Sequence, residues 1–444
     1  MAEMNEIREL RVLVVSSEPW DDSNNVGNTL SNFFREMTNV RLANVYFNFG
    51  MPNNEIESSY FQITEKSLVK NLINRNEPSG LSVSAENNAA TRNNVETKSF
   101  DIMRKIRLQV FFWARELIWK VGRVESSQLS EFIYDFSPDV IFTPMNDTVY
   151  QQRECRKIAK RFDKSICAFI GDDIYSLRRI KLSPLFWIDR LIKRSSHRRF
   201  IKQCSKVFVM TDAAKKEYDR SFGIDTGILT KGLDFSNEPV INRHNGAEVI
   251  RFVYTGNLYA GRWKSLASLG MALQRLNDEG ACGVGKRAEL IVYSMTPMTK
   301  RMMTAFEVPA IRFNGGVPSS EIPAIQQSAD VLVHAESMQK KNMLIVRLSF
   351  STKLVDYMHV PRCILAIGPK EQASMDHLIR HDAAIAVTDC ADMYDTVKRL
   401  VQKPELIEEY AEKAWRCGTV YHNRTVVQKR LYEELLAAAR ENKA

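Results

Sequence analysis

Short apolar runs that end in polar turns recur along this chain in two series, and that repetition constrains its fold more than any other feature. Residues 10–16 form such a run and read as a buried parallel strand. Residues 28–37 then carry Leu30, Phe33, Phe34 and Met37 at helical spacing, and residues 40–47 give a second strand. Strand, loop, helix, strand is the start of an open α/β sheet. Further strands are expected at 139–143, 166–170 and 206–210. A polar stretch from 234 to 247, holding Pro239, Asn242, Asn245 and Gly246, reads as a linker. The pattern then restarts, with strands at 250–254, 289–293, 311–314, 331–334, 363–367 and 384–387, a helix at 265–277, and a helical tail over about 404–440.

At 444 residues the chain has room for two α/β domains of roughly 200 residues each. The expected division is 1–237, 248–425 and a final helix over 426–444. Residues 80–99, rich in Asn, Ser, Ala and Thr, read as a mobile insertion in the first domain. No fixed-period repeat is visible, which disfavours a solenoid. A cleft between two such domains is the default ligand site.

No apolar run reaches the roughly 18 residues a spanning helix needs. The first residues do not carry a basic segment followed by an apolar core, so no secretory signal is expected. Seven scattered cysteines without a C-x-x-C pair argue against a disulfide framework or a structural zinc site and fit a reducing cytoplasm. The net charge of +9 is uneven. Residues 178–202 carry nine cations against the single acid Asp189, and residues 104–123 carry six against Glu116. An anionic partner is therefore expected on the N-terminal half. Both stretches interleave cations with Phe, Trp, Leu and Ile. They read either as helices lying on an anionic membrane surface, or as helices whose apolar residues are core and whose cations are solvated. Nucleic acid ranks behind both, because no recognised binding module is present.

Three places could carry chemistry. The strand at 250–254 leads into Gly256-Asn257, with Arg262 and Lys264 following; two cations beyond a strand end suit a diphosphate and can offset charge growing on a leaving phosphate. The stretch Ser351-Thr352-Lys353-Leu354-Val355-Asp356 reads as a helix opening. Ser351 or Thr352 would cap it, its free N–H groups and Lys353 would meet phosphate, and Asp356 would accept from ribose hydroxyls. Ile170-Gly171-Asp172-Asp173 places two acids at a strand end, where a carboxylate could bind a sugar hydroxyl or accept the acceptor's proton; a polar turn is the plainer reading. None of the seven histidines has metal-ligand spacing, and His334 reads as core or pocket wall. No G-x-S-x-G, H-E-x-x-H or G-x-G-x-x-G occurs.

The residues from Ser351 to Met358, continuing to Pro361-Arg362-Cys363-Ile364-Leu365-Ala366, resemble the donor-binding motif of GT-B glycosyltransferases of the retaining family 4 type. Tyr254-Thr255-Gly256-Asn257 through Lys264 resembles their phosphate loop, and Asn314 through Val331 the segment between. The resemblance covers about residues 250–420. It implies a GT-B fold, with two facing Rossmann-like domains and a C-terminal helix crossing back to the first. It also implies a nucleotide diphosphate sugar as substrate, no cofactor and no metal. By resemblance Arg262 and Lys264 hold the diphosphate, with Lys264 matched to the family lysine, and catalysis falls to Lys264, Arg262 and Asp172. The donor site then takes in Gly256, Asn257, Glu336, Ser351, Thr352, Lys353, Leu354 and Asp356, and an acceptor-side loop takes in Gly27, Asn28 and Asp173.

The chain departs from the pattern at Leu348, where the family has an acid eight residues before Asp356, and at Val26-Gly27-Asn28, where paired glycines are usual. The implied acceptor is a glycan or a lipid-linked intermediate at the cytoplasmic membrane face. Alternatives are a nucleotide-sugar 2-epimerase on the same fold and a non-catalytic relative that binds a sugar nucleotide or a partner.

Overall fold

A computed structural model describes residues 9–83, 109–237, 239, 241 and 248–441. The first sheet is built from β1 (Leu10–Ser16), β2 (Val40–Tyr46), β3 (Ser58–Ile63), β4 (Gly80–Val83), β5 (Val140–Met145), β6 (Ile166–Ile170), β7 (Lys206–Val209) and β8 (Gly227–Ile228). Its order is β4-β3-β2-β1-β5-β6-β7-β8, and only β4 runs antiparallel to its neighbour. The second sheet is built from β9 (Val249–Thr255), β10 (Arg287–Tyr293), β11 (Ile311–Gly315), β12 (Val331–Ala335), β13 (Cys363–Ile367) and β14 (Ile385–Val387), in the order β11-β10-β9-β12-β13-β14, all parallel. Strands buried on both faces cannot alternate in polarity, which is why β6 and β13 read as continuous apolar runs and β5 and β12 are each interrupted by a single polar side chain, Thr143 and His334.

β3 and β4 lie at one edge, where burial is partial, and β8 is two residues long; none carries such a run. β4 takes the first four residues of the stretch expected to be a mobile insertion, a correction to that reading; residues 84–99 lie outside the described residues.

Six helices shape the cleft and the surface beside it: α1 (Asn25–Phe34), α2 (Gln109–Val121), α3 (Pro184–Ile201), α4 (Arg262–Asp278), α5 (Lys353–His359) and α6 (Arg424–Glu441). The expected helical tail is two helices, Pro404–Tyr421 and α6, because the Asn423 side chain accepts the N–H of Thr425 and starts a new helix. α6 crosses back to the first domain. Its Leu431 and Leu435 pack with Val12, Val14, Phe142 and Phe208 of the first sheet, and Gln428 donates to the carbonyls of Phe33 and Arg35 at the end of α1. The chain thus passes between domains twice, side by side, and the passes are stitched by Leu233 N–H to His422 O and Arg424 N–H to Leu233 O. One apolar cluster runs from the first sheet through α6 into the second domain, while the outer face of each sheet has its own core.

The two domains face each other across a cleft at the carboxyl ends of their strands. Ser349 Oγ donates to Asp172 Oδ1 at 2.6 Å, Arg347 pairs with Glu217 at 2.7 Å, and Arg380 pairs with Asp212 at 2.9 Å. This is the GT-B architecture.

Candidate functional site

Strand order in the second sheet reverses between β9 and β12, and ligands of doubly wound sheets bind beyond the carboxyl ends at such a point. β9 ends at Thr255 and β12 at Ala335, so Gly256 and Glu336 flank the switch directly.

α5 brings Lys353 and Tyr357, one turn apart on the same helix face, onto the end of β9. Lys353 Nζ donates to Thr255 O at 3.1 Å, and the Tyr357 hydroxyl meets Thr255 N and Oγ1, each at 3.2 Å. A methyl group on Gly256 would lie 2.0 Å from Lys353 Nζ, so only glycine leaves room for the ammonium. Lys353 also lies over the ring of Tyr254, 5.7 Å from its centroid. Among the described residues no carboxylate lies within ion-pair distance of it. Burial, and then the nearby Arg262 charge, bring its pKa down to about 8.

α4 supplies the second cation. Arg262 grips Glu336 with two hydrogen bonds, Nε to Oε2 at 3.1 Å and Nη2 to Oε1 at 2.9 Å, and donates to Asn257 Oδ1 at 2.7 Å. Glu336 is buried, and its backbone is held by Ser265 Oγ and by Ile367 O. The turn before Arg262 is tight. Gly261 has φ of 81°, and a side chain there would strike Asn342 Nδ2 at 2.5 Å. His334, on β12, is buried beside this pair, with Nε2 3.9 Å from Glu336 Oε1 and no hydrogen-bond partner. Burial, then the charges of Arg262 and Lys353, push its pKa down to about 3, so the imidazole is neutral. Together these residues gather two cations, Arg262 and Lys353, at the switch point; Arg262 engages Glu336 directly, while Glu336 and Asp356 act on Lys353 only at longer range.

Several sequence expectations change. Lys264 stands apart from this cluster, exposed and stacked on its neighbour Trp263 at 5.5 Å; the α4 cation in the pocket is Arg262. Neither Ser351 nor Thr352 caps α5 through its side chain. Instead Ser351 O accepts Leu354 N–H, and Ser351 N–H is held by Ser374 Oγ at 2.9 Å. Leu354 is core. Asp356 is engaged from the other domain, its Oδ1 bonded to Lys231 Nζ at 2.5 Å. Asp173 is fully buried and saturated rather than lining a loop. It accepts from Ser176 N–H and Oγ and lies near Arg190 and Arg347. Asp172 is exposed and faces the second domain through Ser349. Gly27 is buried in the first turn of α1, with its N–H accepted by Asn24 Oδ1, while Asn28 is exposed. Lys231 and Tyr357 were not anticipated. Tyr357 stands in the same motif as Lys353, four residues on, and that spacing could have found it.

No protein-family model matches the chain, and no curated protein matches its sequence. Solved structures do match in fold. HepE of Anabaena, in complex with UDP, superposes with a TM-score of 0.62 at 11% identity over 96% of this chain and 100% of that one. Sucrose-phosphate synthase from Thermosynechococcus elongatus gives 0.59 at 11% identity over 97% and 100%. An α,α-trehalose-phosphate synthase (UDP-forming) from Burkholderia xenovorans gives 0.58 at 10% identity over 96% and 100%.

Proposed function

We propose that this chain transfers a sugar from a nucleotide diphosphate sugar to a hydroxyl on a glycan or lipid-linked acceptor, with retention at the anomeric carbon and without a metal. The observation that carries the reading is the buried Lys353 ammonium beside Arg262 at the switch point of the second sheet, with no carboxylate in ion-pair contact among the described residues. A donor's diphosphate supplies that direct counter-charge. When the bond between the anomeric carbon and the β-phosphate oxygen breaks, charge grows on that oxygen, where a fixed ammonium and guanidinium stabilise it most. The new bond forms from the acceptor oxygen to the anomeric carbon, and the hydroxyl proton passes to the departing phosphate oxygen on the same face of the sugar. We assign the acceptor side to the facing domain, where Asp172 is exposed and bonded to Ser349 across the cleft. HepE is solved with UDP-glucose as well as with UDP, so uridine donors are the first to try.

The test is a thermal-shift panel of nucleoside diphosphates, followed by transfer assays with the nucleotide sugar that stabilises most. Stabilisation by at least one diphosphate and acceptor-dependent release of it are expected. A panel without any shift refutes the site. Release of a free epimer in the absence of acceptor refutes the transfer.

A further inference from the structure

Helix α3 turns polar residues inward along most of its length and buries the apolar Phe200 and Ile201 only in its last turn. Its inner face is polar and interlocked with three other segments: Asp189 accepts from Trp113 Nε1 of α2 at 3.1 Å and pairs with Lys193 at 2.9 Å, His197 bonds Gln152 Oε1 at 2.9 Å, and Arg190 donates to Ser176 O at 2.9 Å. Its outer face is aliphatic. Leu185, Ile188, Leu191 and Ile192 are 47%, 49%, 55% and 58% exposed, and Leu182 just ahead of the helix is 98% exposed. Rotating α3 to bury these side chains would strand Asp189, Arg190 and His197 in solvent or without partners, so the packing fixes the apolar face outward. Phe112 and Leu117 of the neighbouring α2 are also exposed, and Lys193 bridges the two helices over the Phe112 ring at 6.0 Å. Monomeric soluble proteins rarely leave such a contiguous patch uncovered.

Charge identifies what covers it. The aliphatic stripe continues along the same side of α3 into Arg198 and Arg199, and Arg178 and Lys181 stand exposed before it. The only acid from 178 to 202 is Asp189, which is buried and paired. One half-exposed acid from outside the stretch, Asp147, pairs with Lys193 and Arg190, so Arg178, Lys181, Arg198 and Arg199 leave the outer face and its rim with an excess of positive charge. Aliphatic side chains framed by cations on an in-plane helix match an anionic lipid surface, with acyl chains beneath and phosphate groups around. Among the described residues no helix is long and apolar enough to cross a membrane, so seating in the surface is the available mode. The helix that carries the patch is tied to the cleft wall through its inner face. Arg190 of α3 holds the carbonyl of Asp173, and the adjacent Asp172 reaches across to Ser349.

We propose that the outer face of α3 seats the protein on an anionic bilayer, with the cleft mouth at the lipid surface where a lipid-linked acceptor is presented. Only the last clause rests on the glycosyl-transfer reading. The experiment is co-flotation of the full chain with vesicles of phosphatidylglycerol and phosphatidylcholine, against phosphatidylcholine alone, over a salt series. A Leu185→Ser, Ile188→Ser, Ile192→Ser variant and an Arg198→Ala, Arg199→Ala variant are run beside it, with UDP thermal shift as the check on folding. Wild type is expected to bind anionic vesicles and to be released by salt. The aliphatic variant should lose about tenfold or more in partitioning, and the Arg variant should lose most of its salt dependence. Equal binding to neutral vesicles, or binding unchanged in the aliphatic variant, overturns the proposal. So does a wild-type dimer that binds no vesicles and that the aliphatic variant splits, which assigns the face to a second copy. Vesicle binding without any nucleotide shift would leave the docking face standing and remove the donor site.

Discussion

Replacing Lys353 by methionine separates what its charge costs the empty protein from what that charge contributes to a bound diphosphate. The ammonium's pKa falls from 10.5 to about 8 through burial and the Arg262 charge. At about 1.36 kcal/mol per unit that is a cost of roughly 3 kcal/mol, reduced to about 2 because the side chain keeps some solvent contact. The unfolded chain holds this proton up to about 10.5 and the folded chain only to about 8, so the unfolded state binds more protons in that window. The cost is therefore present in full below pH 8 and fades as pH rises toward 10.5. Methionine removes the charge and also the hydrogen bond to Thr255 O, worth about 1 kcal/mol. The unliganded variant should then match or exceed wild type by about 1 kcal/mol at pH 7 and fall below it by pH 10, read from urea unfolding. Nucleotide binding should move the other way, with loss of a charged hydrogen bond costing about 1.5–3 kcal/mol, roughly tenfold to 150-fold in Kd. Above pH 8 wild-type affinity should fall about tenfold per unit, because binding must first restore the ammonium. Calorimetry in buffers of different ionisation enthalpy should show proton uptake that Lys353→Met abolishes. A variant that binds UDP as tightly as wild type, or a wild-type profile flat from pH 7 to 9.5, would refute the reasoning.

Gly256→Ala places a methyl 2.0 Å from Lys353 Nζ and must displace it, so calorimetric UDP affinity should drop as in Lys353→Met while the melting temperature stays close to wild type. Glu336→Gln leaves Arg262 with a neutral partner in a buried pair and should cost about 3 kcal/mol of stability in urea. Added UDP should recover part of that loss, and no recovery would place the anion elsewhere. His377 and His422 meet at 3.1 Å, and burial first, then neighbouring histidine charge, push them down to about 2 and about 4. Their folded values lie below the ordinary 6.5, so stability is whole above pH 6.5 and falls as pH drops toward 4, by about 1.4 kcal/mol per unit for each histidine that stays neutral. Urea midpoints at pH 7, 6 and 5 should show this slope, flattened in His422→Gln.

The two-series pattern of apolar runs determined the double α/β architecture by itself, because strands covered on both faces must be apolar throughout: β6 and β13 occupy the same residues in expectation and in structure. The local motif around Lys353 was equally legible, since a helix face is set by spacing alone. Edge strands β3 and β4 were not, because partial burial leaves no such run. Which cation enters the pocket was also beyond the sequence. Arg262 and Lys264 stand two apart on one helix, about 200° around it, and only the packing of α4 decides which turns inward. Lys353 meets Thr255 across 98 residues, and Asp356 meets Lys231 across 125, with nothing local to announce either pair. The sequence of α3 likewise showed its aliphatic and cationic residues but not their sides. Trp113, Gln152 and Ser176, brought from elsewhere in the chain, hold the polar face inward and leave the aliphatic face to the surface.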